Sequence, residues 1–459
     1  MTVGARVFAA VDLGASSGRV VAGVLESDRI GLRQVERFPI APVEQDGHLR
    51  WNLTRIYGHV VDGLRRIPDA ESVGIDGWGV DYGILDQDGN LLAEPVAYRD
   101  GRTAEVVKDV HQVVSAGELY RITGTQVLPI NTIYQIVAEQ SGPLWHRAGH
   151  AVLVPDLVAY WLTGELGTEV TNASTTGLLN IADATWSTEL FVRLGIPTDL
   201  FPPIETPGTR RGATDWGLPV VTVGSHDTAS AVVGVPATTT HFAFISSGTW
   251  SLVGVELEEP VLAEEARRAN FTNEQGVDGR IRFLRNVGGL WLLDECLREW
   301  AVEHGSPLLQ EAARLARGGP LINPDDPTFI APGGMPTRIA EAAKGPDAAM
   351  SPSAIVRCIL DSLAMAYAHT LAQASSLANR EIDVVHIVGG GSQNHLLCQL
   401  TADATGLPVL AGPTEATAFG NLVVQARNGG ACPTSLEAMR ACIAASVELA
   451  EYRPQRSSR

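Results

Sequence analysis

One pattern occurs twice in this chain and restricts its fold more than any other feature. Val7 to Val11 is an apolar run, Asp12 to Gly18 a polar tip of one acid, glycines and hydroxyls, and Arg19 to Leu25 a second apolar run. The same order returns over His241 to Val255, where Ser246-Ser247-Gly248-Thr249 forms the tip without the acid. Each stretch reads as a β-hairpin, and the pair as a weak internal duplication. A chain of 459 residues is too long for one core. We therefore expect two lobes, residues 1–240 and 241–459, with the boundary near residue 240.

The intervening segments alternate in type. Leu53 to Arg66 reads as a helix, Ser72 to Leu85 as a β segment, and Pro155 to Leu162 as a helix with proline in its first turn and Thr163-Gly164 closing it. Val221 to Ala237 reads as a strand, a polar turn and a small-residue helix, and Ser353 to Ala378 as a long helix. Val385 to Leu397 is a buried strand, three glycines, then a helix starting near Gln393. Alternating strands and helices imply an α/β protein.

Composition excludes several functions. The 34 basic and 52 acidic residues leave a net charge of −18, and no basic cluster occurs, so nucleic acids and anionic membranes are not expected partners. Only Lys108 and Lys344 are lysines, and the lysine-bearing phosphate loop of many nucleotide hydrolases is absent. No run approaches eighteen uninterrupted apolar residues, so neither a membrane span nor a signal peptide is expected. The 5 cysteines are never spaced C-x-x-C, which suggests neither zinc nor a disulfide framework and fits a reducing cytoplasm.

Three segments carry chemistry. The tip Asp12-Leu13-Gly14-Ala15-Ser16-Ser17-Gly18-Arg19 combines a carboxylate, close-approach glycines, hydroxyls and a guanidinium, which suits a phosphate with a divalent cation. A plain hairpin turn uses the same residue types, so this segment alone leaves both readings open. The glycines after Val388 feed a helix N-terminus, a place that attracts anions, but their spacing is not Gly-x-Gly-x-x-Gly, which argues against a dehydrogenase. His226-Asp227-Thr228 follows a strand and opens a helix, where an acid can act as a general base or simply as an N-cap. Trp78 and Asp81, among glycines, suggest an aromatic and acceptor wall for a sugar, or equally a bulge with a core Trp.

Taken together, Val11 to Arg19, GIDGWGVDYG with AYRDGRT, GTQVLPINTIYQI, PDLVAYWLTGE, SHDTASAVVGVPA, SSGTWSLVG, RNVGGLWLLDE and IVGGGSQNHLLCQL resemble the FGGY carbohydrate kinases of the actin, hexokinase and Hsp70-like superfamily. The Trp-Gly-Val-Asp and Asn-Thr-Ile-Tyr-Gln blocks are most similar to the branch acting on L-rhamnulose. The resemblance implies a two-domain, ribonuclease H-like α/β fold with an active-site cleft between the lobes. It implies ATP-dependent phosphorylation of the 1-hydroxyl of L-rhamnulose, with another ketose such as L-fuculose or xylulose, or a non-catalytic sugar- or nucleotide-binding protein, as alternatives. Asp227 would be the base, and Asp12 with Asp227 would hold Mg2+. Ala15, Ser16, Ser17, Gly18, Arg19 and Thr249 would meet the phosphates of ATP, and Gly390 and Gly391 the adenosine side. Gly79, His226, Asp227, Thr228 and Asn286 would contact the sugar. Asp294 stands where the pattern often has Gln and is left out of the site. A monomer or homodimer is expected.

Overall fold

The first apolar run forms the strand Arg6–Leu13, which pairs antiparallel with Ser17–Glu26 and parallel with Val73–Gly77. The structure, a computed structural model, describes residues 5–26, 28–303, 307–345 and 349–455. Residues 1–238, 256–283 and 416–447 form one compact unit, and 239–255, 284–415 and 448–459 a second. Two segments from beyond residue 240 thus belong to the first unit.

In the first unit the sheet runs Arg210–Ala213, Pro219–Val221, Val73–Gly77, Arg6–Leu13, Ser17–Glu26, Arg29–Pro39. Its parallel centre is buried on both faces, as such sheets require. Ala9, Val11 and Leu13 join Val60 and Leu64 of the helix Leu53–Arg65 on one side. Phe8 and Ala10 meet Leu422 and Val423 of the helix Ala416–Asn428 on the other. This second helix lies so close that a Cβ on Gly74 would sit 2.5 Å from Asn421 Oδ1. The helix Val154–Thr163 begins with Pro155 and stops at Gly164, whose φ of 77° is the left-handed cap that glycine adopts without strain.

The second unit repeats the motif. Phe242–Ser247 and Trp250–Leu257 form the hairpin, and Val384–Val388 pairs parallel with the first of them. Val409–Ala411 and Ala450–Tyr452 extend the sheet. The helix Pro352–Leu377 is long and apolar enough to cross a membrane, yet 67% of its most apolar window is buried within the protein, as in a core helix.

Three element boundaries differ from those the residues suggest. The first hairpin turns over Gly14 to Ser16 only, because Asp12 and Leu13 pair with Arg19 and Gly18 in the ladder. The β segment Ser72 to Leu85 is two strands, Val73–Gly77 and Tyr82–Leu85, broken where Val80 takes a φ of 69°. The helix after the three glycines starts at His395, because the Asn394 side chain accepts from Leu397 N and caps it there, while Gly390–Gln393 forms a single 3-10 turn.

Candidate active site

The sheet register brings acids together. Asp12 and Asp76 are direct neighbours across the parallel pair, near the carboxyl ends of their strands. The third parallel strand, Pro219–Val221, leads to Asp227 at the first turn of the helix Asp227–Val233. Carboxyl edges of adjacent parallel strands are where α/β proteins place ligands. Arg19 Nε and Nη2 reach Asp12 Oδ2 at 2.9 and 2.8 Å, so the guanidinium and the acid of the tip engage each other. Asp76 Oδ2 accepts from Asn421 Nδ2 at 2.6 Å, while its buried Oδ1 has no partner. Burial first, and then the charge of Asp12, push the Asp76 carboxyl well above the usual range. The motif reading missed Asp76, because its place beside Asp12 is a matter of register rather than of local pattern.

Asp227 is half-buried, and its pKa is raised by burial, with the His226 ring opposing the rise. Thr228 Oγ1 donates to Asp227 Oδ1 at 3.1 Å, and His226 Nε2 lies 3.5 Å from the same oxygen. The other ring nitrogen, Nδ1, lies 3.3 Å from Glu274 Oε2 and 3.2 Å from Arg282 Nη1. His226, Asp227 and Thr228 are thus brought together, with a buried Glu274–Arg282 ion pair of 2.9 Å behind the imidazole.

Beneath this turn sits Glu169, a fully buried carboxylate that the sequence reading did not single out. It accepts from Ser225 N and Oγ, each at 2.9 Å, and from Thr171 N and Oγ1 at 3.1 and 2.5 Å. Thr171 Oγ1 in turn accepts from His226 N at 3.2 Å. Glu169 therefore anchors the backbone that delivers His226 and Asp227. Burial pushes its carboxyl up to about 7 despite these donors. A raised folded-state value favours the protonated acid, so this contribution to stability is complete below the unfolded value, near 4.5, and is lost as pH rises through about 7. Glu169→Gln is expected to flatten the fall in stability between pH 5 and 7.5 by up to about 1.4 kcal/mol per pH unit. Denaturant midpoints at the two pH values check this, and an unchanged slope would contradict it.

The expected sugar wall of Trp78 and Asp81 does not form. Asp81 is fully buried, and its Oδ2 accepts from Trp51 Nε1, Trp78 Nε1 and Tyr98 N at 2.6, 3.1 and 3.1 Å. Its Oδ1 accepts from Gln135 Nε2 at 3.0 Å. Trp78 packs its ring against Trp51, 4.7 Å between centroids. Both are interior groups that shape the loop. Gly79 between them is half-buried, and a Cβ there would meet Thr175 Oγ1 at 2.9 Å.

The glycines of the two tips separate in role. Ala15 and Ser16 stand at the turn and Ser17 begins the next strand, but Gly18 is interior, since a Cβ there would strike Phe38 at 2.3 Å. In the second unit Thr249 lies at the hairpin turn, where its carbonyl accepts from Trp291 N at 3.2 Å. Gly390 is exposed with open space where a Cβ would be, whereas Gly391 is buried against Ser247 Oγ. Asn286 is half-buried on the strand Ile281–Gly288 of the same unit.

Hard oxygen donors with an orphaned buried carboxylate oxygen, Asp76 Oδ1 beside Asp12, fit a divalent cation. Among the described residues no three His, Cys, Asp or Glu side chains are grouped to hold an ion by themselves.

Residues 7–234 match the model of the N-terminal domain of the FGGY family of carbohydrate kinases, and residues 243–429 that of its C-terminal domain. The chain is 40% identical over 465 residues to a rhamnulokinase of Bacteroides thetaiotaomicron, covering 98% of this chain and 96% of the relative. It is 40% identical over 469 residues to one of Enterococcus faecalis, covering 97% and 94%. Among solved structures, gluconate kinase from Lactobacillus acidophilus superposes with a TM-score of 0.80 at 15% identity, covering 98% of this chain and 94% of that one. Plasmodium falciparum glycerol kinase with ADP gives 0.77 at 17%, with coverages of 98% and 94%. The fold is the two-domain actin- and hexokinase-like fold of these sugar kinases.

Proposed function

This chain belongs to the FGGY family of carbohydrate kinases, and from that premise we propose that it transfers the γ-phosphoryl group of ATP to the 1-hydroxyl of L-rhamnulose, giving L-rhamnulose 1-phosphate and ADP. One observation carries the substrate: about 40% identity to rhamnulokinases over nearly the whole of both chains. In this reading Asp227 takes the proton of the 1-hydroxyl as that oxygen bonds to the γ-phosphorus and the bond to the β–γ bridging oxygen breaks. Its raised pKa makes the ionised carboxylate a stronger base than an exposed one. His226, Thr228, the Gly79 backbone and Asn286 orient the ketose, and orientation supplies much of the rate in phosphoryl transfer.

Asp12 and Asp227, with Asp76 beside them, would hold magnesium. When bound, magnesium supplies neutralisation of charge on the β and γ oxygens. Ala15, Ser16, Ser17, Arg19 and Thr249 are assigned to the phosphates and Gly390 to the adenosine side. Gly18 and Gly391 serve the packing of their own turns. On this assignment residues 1–240 carry the phosphate and metal side with most of the sugar contacts, and 241–459 the nucleotide side together with Asn286. A cytoplasmic location fits a kinase that consumes ATP. A coupled ADP-release assay over L-rhamnulose, L-fuculose and xylulose tests the reading. ADP formation is expected with L-rhamnulose and is expected to vanish when magnesium is chelated.

A further inference from the structure

The strained backbone at Val80 identifies residues that the proposed reaction has not yet used. Val80 is β-branched and holds a φ of 69°, a conformation that such side chains avoid and that persists only where surrounding groups over-determine it. Its two backbone groups are both held. The amide donates to Thr175 Oγ1 at 3.2 Å, and the carbonyl accepts from Thr132 Oγ1 at 2.7 Å. Gln135 Nε2 approaches the same carbonyl at 3.3 Å, with Asp81 Oδ1 at 3.0 Å and Ile130 O at 2.8 Å as closer acceptors. Two amide protons facing three acceptors leave Thr132 as the main donor to Val80 O. The amide orientation of Gln135 is fixed from behind, because Arg102 Nη2 donates to its Oε1 at 3.1 Å while the same guanidinium pairs with Glu139.

We propose that Thr132 is a positioning residue for the ketose: by clamping Val80 in the left-handed region it sets the direction in which Gly79 presents its backbone, while Gln135 holds the neighbouring Asp81 carboxyl and Ile130 carbonyl in place. The inference rests on the assignment of Gly79 to the sugar. It gives the Asn-Thr-Ile-Tyr-Gln block a physical task, with Arg102 of the AYRDGRT segment as its brace.

Thr132→Val keeps the shape of the side chain and removes the donor. In the full-length enzyme the KM for L-rhamnulose is expected to rise about tenfold, the cost of one buried carbonyl losing its partner. The KM for ATP and kcat are expected to stay within about threefold, and Thr132→Ser to restore the ketose KM. Adding Val80→Gly to Thr132→Val is expected to lower that KM again, since glycine adopts a positive φ unaided. An unchanged ketose KM in Thr132→Val, an equal rise in both KM values, or no recovery in either rescue would overturn the proposal. Should Thr132→Val not fold, Thr132→Ala carries the same expectations. Failure of the parent reading looks different: the wild-type enzyme then releases no ADP with any ketose, and the proposal falls with it.

Discussion

Asp227→Asn is expected to lower kcat by about 10²- to 10⁴-fold, the usual contribution of a general base, while ATP binding survives. Asparagine has nearly the same shape, can still accept from Thr228 Oγ1 as Asp227 Oδ1 does at 3.1 Å, and keeps the residue at the first turn of its helix. What it loses is a lone pair basic enough to take the hydroxyl proton. Asp12 and Asp76 remain in place on their own strands, so the loss should appear in kcat rather than in nucleotide affinity. Turnover by ADP release and ATP binding by calorimetry separate the two. An Asn variant with near-native kcat would remove Asp227 from the chemistry.

Asp81→Ala should produce the largest loss of stability. The substitution strips the partner from Trp51 Nε1, Trp78 Nε1 and Tyr98 N at once, all in the interior, and removes one of the three acceptors around Gln135 Nε2. Each buried donor left unpaired costs about 1–3 kcal/mol, and partial relaxation keeps the sum below simple addition. A loss of about 4 kcal/mol is expected, which puts this substitution among the exceptional ones and lowers the apparent Tm by roughly 4 °C. Had Asp81 been a sugar ligand at the surface, its removal would leave Tm nearly unchanged and raise only the ketose KM. A melting curve and a KM measurement on the same preparation therefore decide between the two roles.

The difference between Asp81 and Asp76 shows what could be read from the residues alone. Local signals were legible: Pro155 and Gly164 bound their helix within one residue of expectation, and both hairpins form where apolar runs flank glycine-rich tips. Membership of the sugar-kinase family was legible for the same reason, since its blocks are contiguous. Burial and register were not. Asp81 stands in a glycine-rich segment that looks open, but Trp51 and Gln135, distant in sequence, close over it. Asp76 looks like an ordinary strand residue until the parallel pairing sets it against Asp12. Gly390 and Gly391 are adjacent and identical, yet only the second has Ser247 against it. Residues 416–447 lie far along the chain from the sheet that their helix covers, and only the packing of Leu422 and Val423 on Phe8 reveals it.

The ratio of kcat/KM values across ketoses reveals which sugar this kinase phosphorylates. With ATP and magnesium, L-rhamnulose is expected to exceed L-fuculose and xylulose by at least about tenfold, a difference of about 1.4 kcal/mol in transition-state binding. Equal values, or a preference for xylulose or L-fuculose, would rule out L-rhamnulose as the preferred acceptor.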